Sequence, residues 1–121
     1  MDKIQKPKTY DLEERTFEFA RKCRYFVKKL PRTLCNREDA SQLVRASGSV
    51  GANYIEANEA ISKKDFTHRI KISRKESKES KFWLQLVDIG TIQSLEKERE
   101  ELTEEAVELM KIFSSIMRKS E

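Results

Sequence analysis

Apolar side chains recur every three or four positions through four separate stretches of this chain. Such spacing commits it to helices that each bury one face. The first stretch carries Leu12, Thr16, Phe19, Cys23, Phe26 and Leu30, widened by Phe17, Ala20 and Val27, and Pro31 closes it. The second runs through Leu43, Ser47, Val50, Tyr54, Ala57 and Ile61, with Asn36 as its expected N-cap and Asp39 three residues on. Ser62, followed by Asp65, caps a third with Phe66, Ile70, Ser73, Ser77, Ser80, Leu84 and Val87, and Gly90 stops it. Ser94 opens a fourth with Leu95, Leu102, Ala106, Leu109, Phe113 and Ile116. Connections of roughly two to seven residues favour antiparallel neighbours. The expected fold is therefore all-α: an antiparallel up-down four-helix bundle over residues 10–119, behind a flexible N-terminal tail of residues 1–9. Only 3 Gly and 2 Pro among 121 residues argue against a turn-rich β fold, and the length suits one domain.

Charge is unevenly spread. Residues 1–37 hold 11 Lys and Arg against 5 Asp and Glu, and residues 63–82 hold 8 against 3. Residues 38–62 (1 against 4) and 83–121 (5 against 9) reverse the sign, leaving a formal net charge of +4. Segregated charge is either a polyanion footprint or a set of complementary helix faces that meet within or between subunits. No apolar run approaches the roughly 20 residues that span a bilayer, and no signal-peptide core follows Met1. Cys23 falls on an apolar stripe and Cys35 in an expected polar connection, which makes neither a disulfide framework nor a metal knuckle. A cytoplasmic protein with reduced thiols, and no membrane association, is the expectation.

Polar residues stand where a plain bundle would place leucines. Ser49, Asn53 and Glu56 share one face of the second helix, and Gly48 and Gly51 lie inside it. Each glycine costs about 1 kcal/mol relative to alanine, which fits a close backbone approach or a local irregularity. On the third helix Ile72, Glu76, Glu79, Trp83 and Leu86 form a stripe that brackets two carboxylates with bulky apolar groups. A carboxylate-bridged di-metal centre wants a Glu-x-x-His pair on each of two helices. The one histidine is His68, with Asp65 three residues before it, so no metal and no cofactor is expected. Acid–base catalysis by Glu76 and Glu79 lacks a companion nucleophile or histidine, and no enzymatic role is expected. The simplest reading is a structural polar network: Arg45, Arg69 or Arg74 pairing with Glu56, Glu76 or Glu79, and Asn53 bonding to backbone near the glycines, with Ser49 beside it.

The cationic pattern points elsewhere. Lys64, His68, Lys71, Lys75 and Lys78 are spaced four, three, four and three apart along one face of the third helix, flanked by Lys63, Arg74 and Lys81. Arg15, Lys22 and Lys29 recur every seven residues on the first helix, with Arg21 and Lys28 beside two of them. A solvated lysine face is the commoner meaning of such a stripe, but two basic faces would also follow a phosphate backbone. Tyr25 and His68 are the only obvious exposed rings, so base-specific readout is not evident.

Together these residues resemble the 23S rRNA intervening-sequence protein family. Its pattern of Arg, then Ser-Ile/Val-x-Ala-Asn, then Glu is matched by Arg45, Ser49, Val50, Ala52, Asn53 and Glu56. Its Ser-x-x-Asp-Phe segment is matched by Ser62, Asp65 and Phe66, and a Lys-Glu-x-x-Glu with an aromatic-Leu pair by Lys75, Glu76, Glu79, Trp83 and Leu84. Many members have Gly at the position of Ala57 and Pro at that of Gly51. The resemblance spans about Tyr10 to Arg118. It implies an antiparallel four-helix bundle that assembles as a ring-like homopentamer. The family takes its name from reading frames inside intervening sequences of bacterial 23S rRNA genes, which describes gene location. A similar bundle is the accessory protein of diversity-generating retroelements, a basic pentamer associated with nucleic acid and a reverse transcriptase. The expectation is a non-enzymatic, oligomeric RNA-binding protein, with a protein-interaction scaffold or accessory subunit as the rival.

Overall fold

Buried hydroxyls and glycine, as much as leucine and phenylalanine, set how the helices meet. The computed structural model describes residues 11–120, and the expected tail of residues 1–9 lies outside them. Four helices follow in order: α1 (Leu12–Lys28), α2 (Leu34–Asn58), α3 (Lys63–Leu86) and α4 (Gln93–Ser120). Each packs on its chain neighbours, and α1 closes against α4, the loosest of the four seams. The connections, 29–33, 59–62 and 87–92, are too short for anything but antiparallel neighbours. Phe19, Phe26, Phe113, Leu43, Ile70, Leu84, Leu95 and Leu109 are fully buried between the helices. Each contributes about 1.5–3 kcal/mol by leaving water.

The expected stripe of α1 is buried at all six positions, but Phe17 does not widen it: its ring is 61% exposed. Ile61, expected on the second helix, lies beyond its end and is 95% exposed. Ser62 caps α3 as expected, its side chain accepting from the Asp65 amide at 3.0 Å. Asn36 is not a cap. Thr33 caps α2, accepting from the Asn36 amide at 3.0 Å, which moves Cys35 from a connection into the first helical turn.

Asn36 has a larger task that only the assembled bundle supplies. Its Nδ2 donates to the carbonyls of Pro31 (2.9 Å) and Asp88 (2.8 Å), and its Oδ1 accepts from the Asp88 amide at 2.9 Å. This buried amide therefore ties the α1–α2 connection to the α3–α4 connection at one end of the bundle. Gly90, at φ +67°, turns the second connection so closely over the first that a Cβ there would lie 3.1 Å from Pro31 Cγ. Arg99 fastens the same end, its Nη1 donating to the carbonyls of Gln85 (3.1 Å) in the last turn of α3 and of Val87 (2.8 Å) just beyond it.

Gly51 explains itself at the α1–α2 seam. A Cβ at this position would lie 2.8 Å from Thr16 Oγ1 and 3.1 Å from Thr16 Cβ, so the glycine marks a close approach of two helices. The helix runs through it without the local irregularity that a glycine or proline there suggests. On the other side of α2, Ser73 Oγ donates to the Val50 carbonyl at 2.8 Å, an interhelical bond that requires small residues around it. Ser77 and Ser80 are satisfied within α3 by the carbonyls four residues back, at 2.9 and 2.8 Å.

Replacing the buried Asn36 with alanine takes the partner from three part-buried backbone groups of the two connections. We expect Asn36→Ala to lose about 2–3 kcal/mol of stability in urea denaturation, with the folded state still helical by circular dichroism.

Candidate nucleic-acid interface

Helical periodicity alone fixes the outer face of α3. Ile70, Ser73, Ser77, Ser80 and Leu84 are buried, which turns Lys64, His68, Lys71, Lys75 and Lys78 outward, and all five are exposed. None of the five makes a hydrogen bond or ion pair with another described residue. Near the start of α3, Lys63, Lys64, His68 and Lys71 line an open groove of about 630 Å³ with Thr67 and Ser120. The positive end of the α3 dipole lies there too and adds to their field.

The cations of α1 have a different environment. Arg15 grips Glu105 of α4 with two bonds, Nε to Oε2 at 2.7 Å and Nη2 to Oε1 at 2.9 Å. That carboxylate raises the Arg15 pKa above its ordinary value, against the opposing effect of burial. Lys29 is held by Glu98 at 2.8 Å. Lys22, exposed, lies between them beside a groove of about 760 Å³ that also takes in Glu101. The structure thus brings Arg15, Lys22 and Lys29 together along α1 but faces them with α4 carboxylates. Only the α3 set is left facing solvent alone.

The polar cluster between α2 and α3 differs from its expected pairing. Asn53 is its hub: Nδ2 donates to the Ser49 carbonyl (3.0 Å) and hydroxyl (2.9 Å), and Oδ1 accepts from Arg69 Nη1 at 3.0 Å. Arg45 turns along its own helix to Gln42 at 3.0 Å. No ion pair joins Arg45, Arg69 or Arg74 to Glu56, Glu76 or Glu79 among the described residues. Glu56 is exposed and Glu79 half-buried, while Glu76 is only 6% exposed and its Oε1 has no partner. Arg45 and Arg69 bond instead to the amide oxygens of Gln42 and Asn53, a choice that spacing does not reveal.

Burial, then the neighbouring Glu79, raise the Glu76 carboxyl above the usual carboxylate range, with Arg45 and Lys75 opposing. Burial likewise pushes the Cys23 thiol up to about 12 against Ser47 and Arg24, so it stays protonated and unreactive at neutral pH. No three His, Cys, Asp or Glu side chains converge on a metal position among the described residues. No described helix is long and apolar enough to cross a membrane.

Fold and surface together define an antiparallel four-helix bundle with an exposed cationic face on α3 that holds no ion pair among the described residues. The sequence signature of the family described as 23S rRNA-intervening sequence protein matches residues 8–115, and the chain belongs to that family. It is also similar to a protein of unknown function from the S23 ribosomal protein family of Bacteroides thetaiotaomicron. That crystal structure shares 28% identity and a TM-score of 0.69, over 87% of this chain and 96% of the other. Comparison with curated proteins returned no match.

Because the folded protein binds the Glu76 proton more tightly than the unfolded chain does, stability falls as pH rises from the ordinary carboxylate range through the raised value. Glu76→Gln keeps the shape and removes the charge. Its melting temperature at about pH 7 is expected to exceed that of the parent, with a flatter decline from about pH 4 upward. Thermal melts across that range measure both, and a less stable variant at neutral pH would mean that the carboxylate has a partner.

Proposed function

We propose that this protein is a non-enzymatic, oligomeric RNA-binding protein whose contact surface is the outer face of α3. The observation that carries this reading is the set of five exposed cationic positions, Lys64, His68, Lys71, Lys75 and Lys78, none of which forms an ion pair with a described carboxylate. From Lys64 to Lys78 the row extends over about 21 Å of helix, long enough to follow several phosphates. The chain's family, named for reading frames inside 23S rRNA genes, makes RNA the first polyanion to test. Arg15 and Lys29 contribute less, because a phosphate must first displace Glu105 or Glu98. In a homo-oligomer, a pentamer by the family resemblance, repetition of the α3 face would let modest contacts act together through effective concentration. The Asn53 and Glu76 cluster organises the α2–α3 seam and does not touch RNA.

A second reading, a protein-interaction scaffold, draws on the outer side of the α1–α2 seam. There Phe17 and Ile55 flank a groove of about 440 Å³ floored by Gly48 and Gly51. Partners retained through purification after nuclease treatment would favour it.

The test is a titration of purified protein against labelled 23S rRNA fragments across a salt series, with unrelated RNA as competitor. Binding should weaken steeply with salt. The triple variant Lys71→Glu, Lys75→Glu, Lys78→Glu should bind at least about tenfold more weakly, its log–log slope shallower by about 0.7–0.9 per lost phosphate contact. Its circular dichroism spectrum should match that of the parent, since none of the three side chains has a hydrogen bond or ion pair to lose and only the attraction of Lys75 for Glu76 is given up. Normal RNA binding by this variant would remove the α3 face from the proposal.

A further inference from the structure

The cationic row on α3 ends in an aromatic ring. Phe82 lies four residues beyond Lys78, seven beyond Lys75 and eleven beyond Lys71, so it continues the same outward face. Its Cα is about 6 Å further along the axis than that of Lys78. The ring is 55% exposed, and Leu86, one turn on, is 51% exposed on the same side.

This ring does not sit on a loose helix end. Trp83 meets it edge-on, with centroids 4.9 Å apart and planes at 80°. Just beyond, Arg99 holds the carbonyls of Gln85 and Val87, and Asn36 clamps Asp88. Phe82 is therefore held in solvent on a fixed backbone, directly after a row of lysines that form no ion pair. A partner that satisfies both features carries negative charge and flat apolar rings in one polymer.

Resting on the RNA reading above, we infer that Phe82 is a stacking platform for an unpaired base, and that α3 engages single-stranded RNA or a helix–loop junction. A paired A-form duplex keeps its bases stacked inside and offers a protein phosphates and 2′-hydroxyls, for which lysines suffice and an exposed ring adds nothing. A splayed base beside its phosphate uses both: the phosphates lie along Lys71, Lys75 and Lys78, and the base covers Phe82. Stacking of this kind tolerates any base, so it selects for strandedness more than for sequence.

The experiment compares the parent with Phe82→Leu and Phe82→Tyr on two RNAs of equal length, one unstructured and one fully paired, at one salt concentration. Leucine keeps the apolar character and removes the ring, whereas tyrosine keeps the ring. Phe82→Leu is expected to lose about tenfold in affinity for the unstructured RNA and little for the duplex, and Phe82→Tyr to keep the parent's affinity for both. The single tryptophan, Trp83, gives an independent readout. Its emission should change when unstructured RNA binds the parent or Phe82→Tyr, and not when it binds Phe82→Leu.

Equal binding of unstructured RNA by Phe82→Leu and the parent overturns the stacking role. The RNA reading then survives as long as the lysine variants still bind weakly. A parent that binds neither RNA overturns both. Should Phe82→Leu change the sedimentation behaviour of the protein while its RNA preference stays put, the ring belongs to a protein contact and the inference is wrong.

Discussion

The bond from Ser73 Oγ to the Val50 carbonyl sets the terms for the rest of this bundle. A serine reaches the backbone of a neighbouring helix only when the two axes are close, and here both donor and acceptor are buried. An unmade bond at such a site costs about 1–3 kcal/mol, so α2 and α3 hold their separation against loosening. Small residues on the two helices make the approach possible: Ala46 and Ser47 on α2 and Ser77 and Ser80 on α3 are fully buried. Gly51 does the same for α1 on the opposite flank of α2. A core of leucines would satisfy no polar group and would keep the helices further apart.

With α3 pressed against α2 along its serine face, the orientation of its other side chains follows. The lysines face water, and Glu76 is drawn into the seam beside Arg45 without reaching a partner. The charged groups that meet across helices do so elsewhere, where α4 sends Glu98 and Glu105 toward α1. These partly exposed pairs contribute about 1 kcal/mol or less each. Their consequence for the surface is larger than that for stability: they neutralise one basic helix and leave the other bare.

Much of the fold was legible in the chain. Periodicity located all four helices, and Ser62 followed by Asp65 marked the start of α3, because caps and apolar stripes are local features. The readings that failed involve groups whose best partner lies far along the chain. Asn36 has the composition and position of a cap, but its amide finds Asp88, 52 residues away. Phe17 fits the stripe of α1 by spacing, yet it lies on the margin where no helix covers it. In the polar cluster, Asn53 was recognisable as a bonding residue, while its choice of Arg69 over any carboxylate depended on the register of α2 against α3.

The candidate surface divides along the same line. The sequence by itself determined that Lys64, His68, Lys71, Lys75 and Lys78 share one face, since 3.6 residues per turn permits nothing else at that spacing. It determined the same for Arg15, Lys22 and Lys29. Only the tertiary structure decided that the two rows differ, because a charge is neutralised by whatever the packing brings within about 4 Å, and carboxylates some 70 to 90 residues away reach Arg15 and Lys29 but none reaches the row on α3. The exposure of Phe82 belongs to the tertiary structure as well: helix geometry places the ring after the lysines, but only packing leaves that face of α3 uncovered.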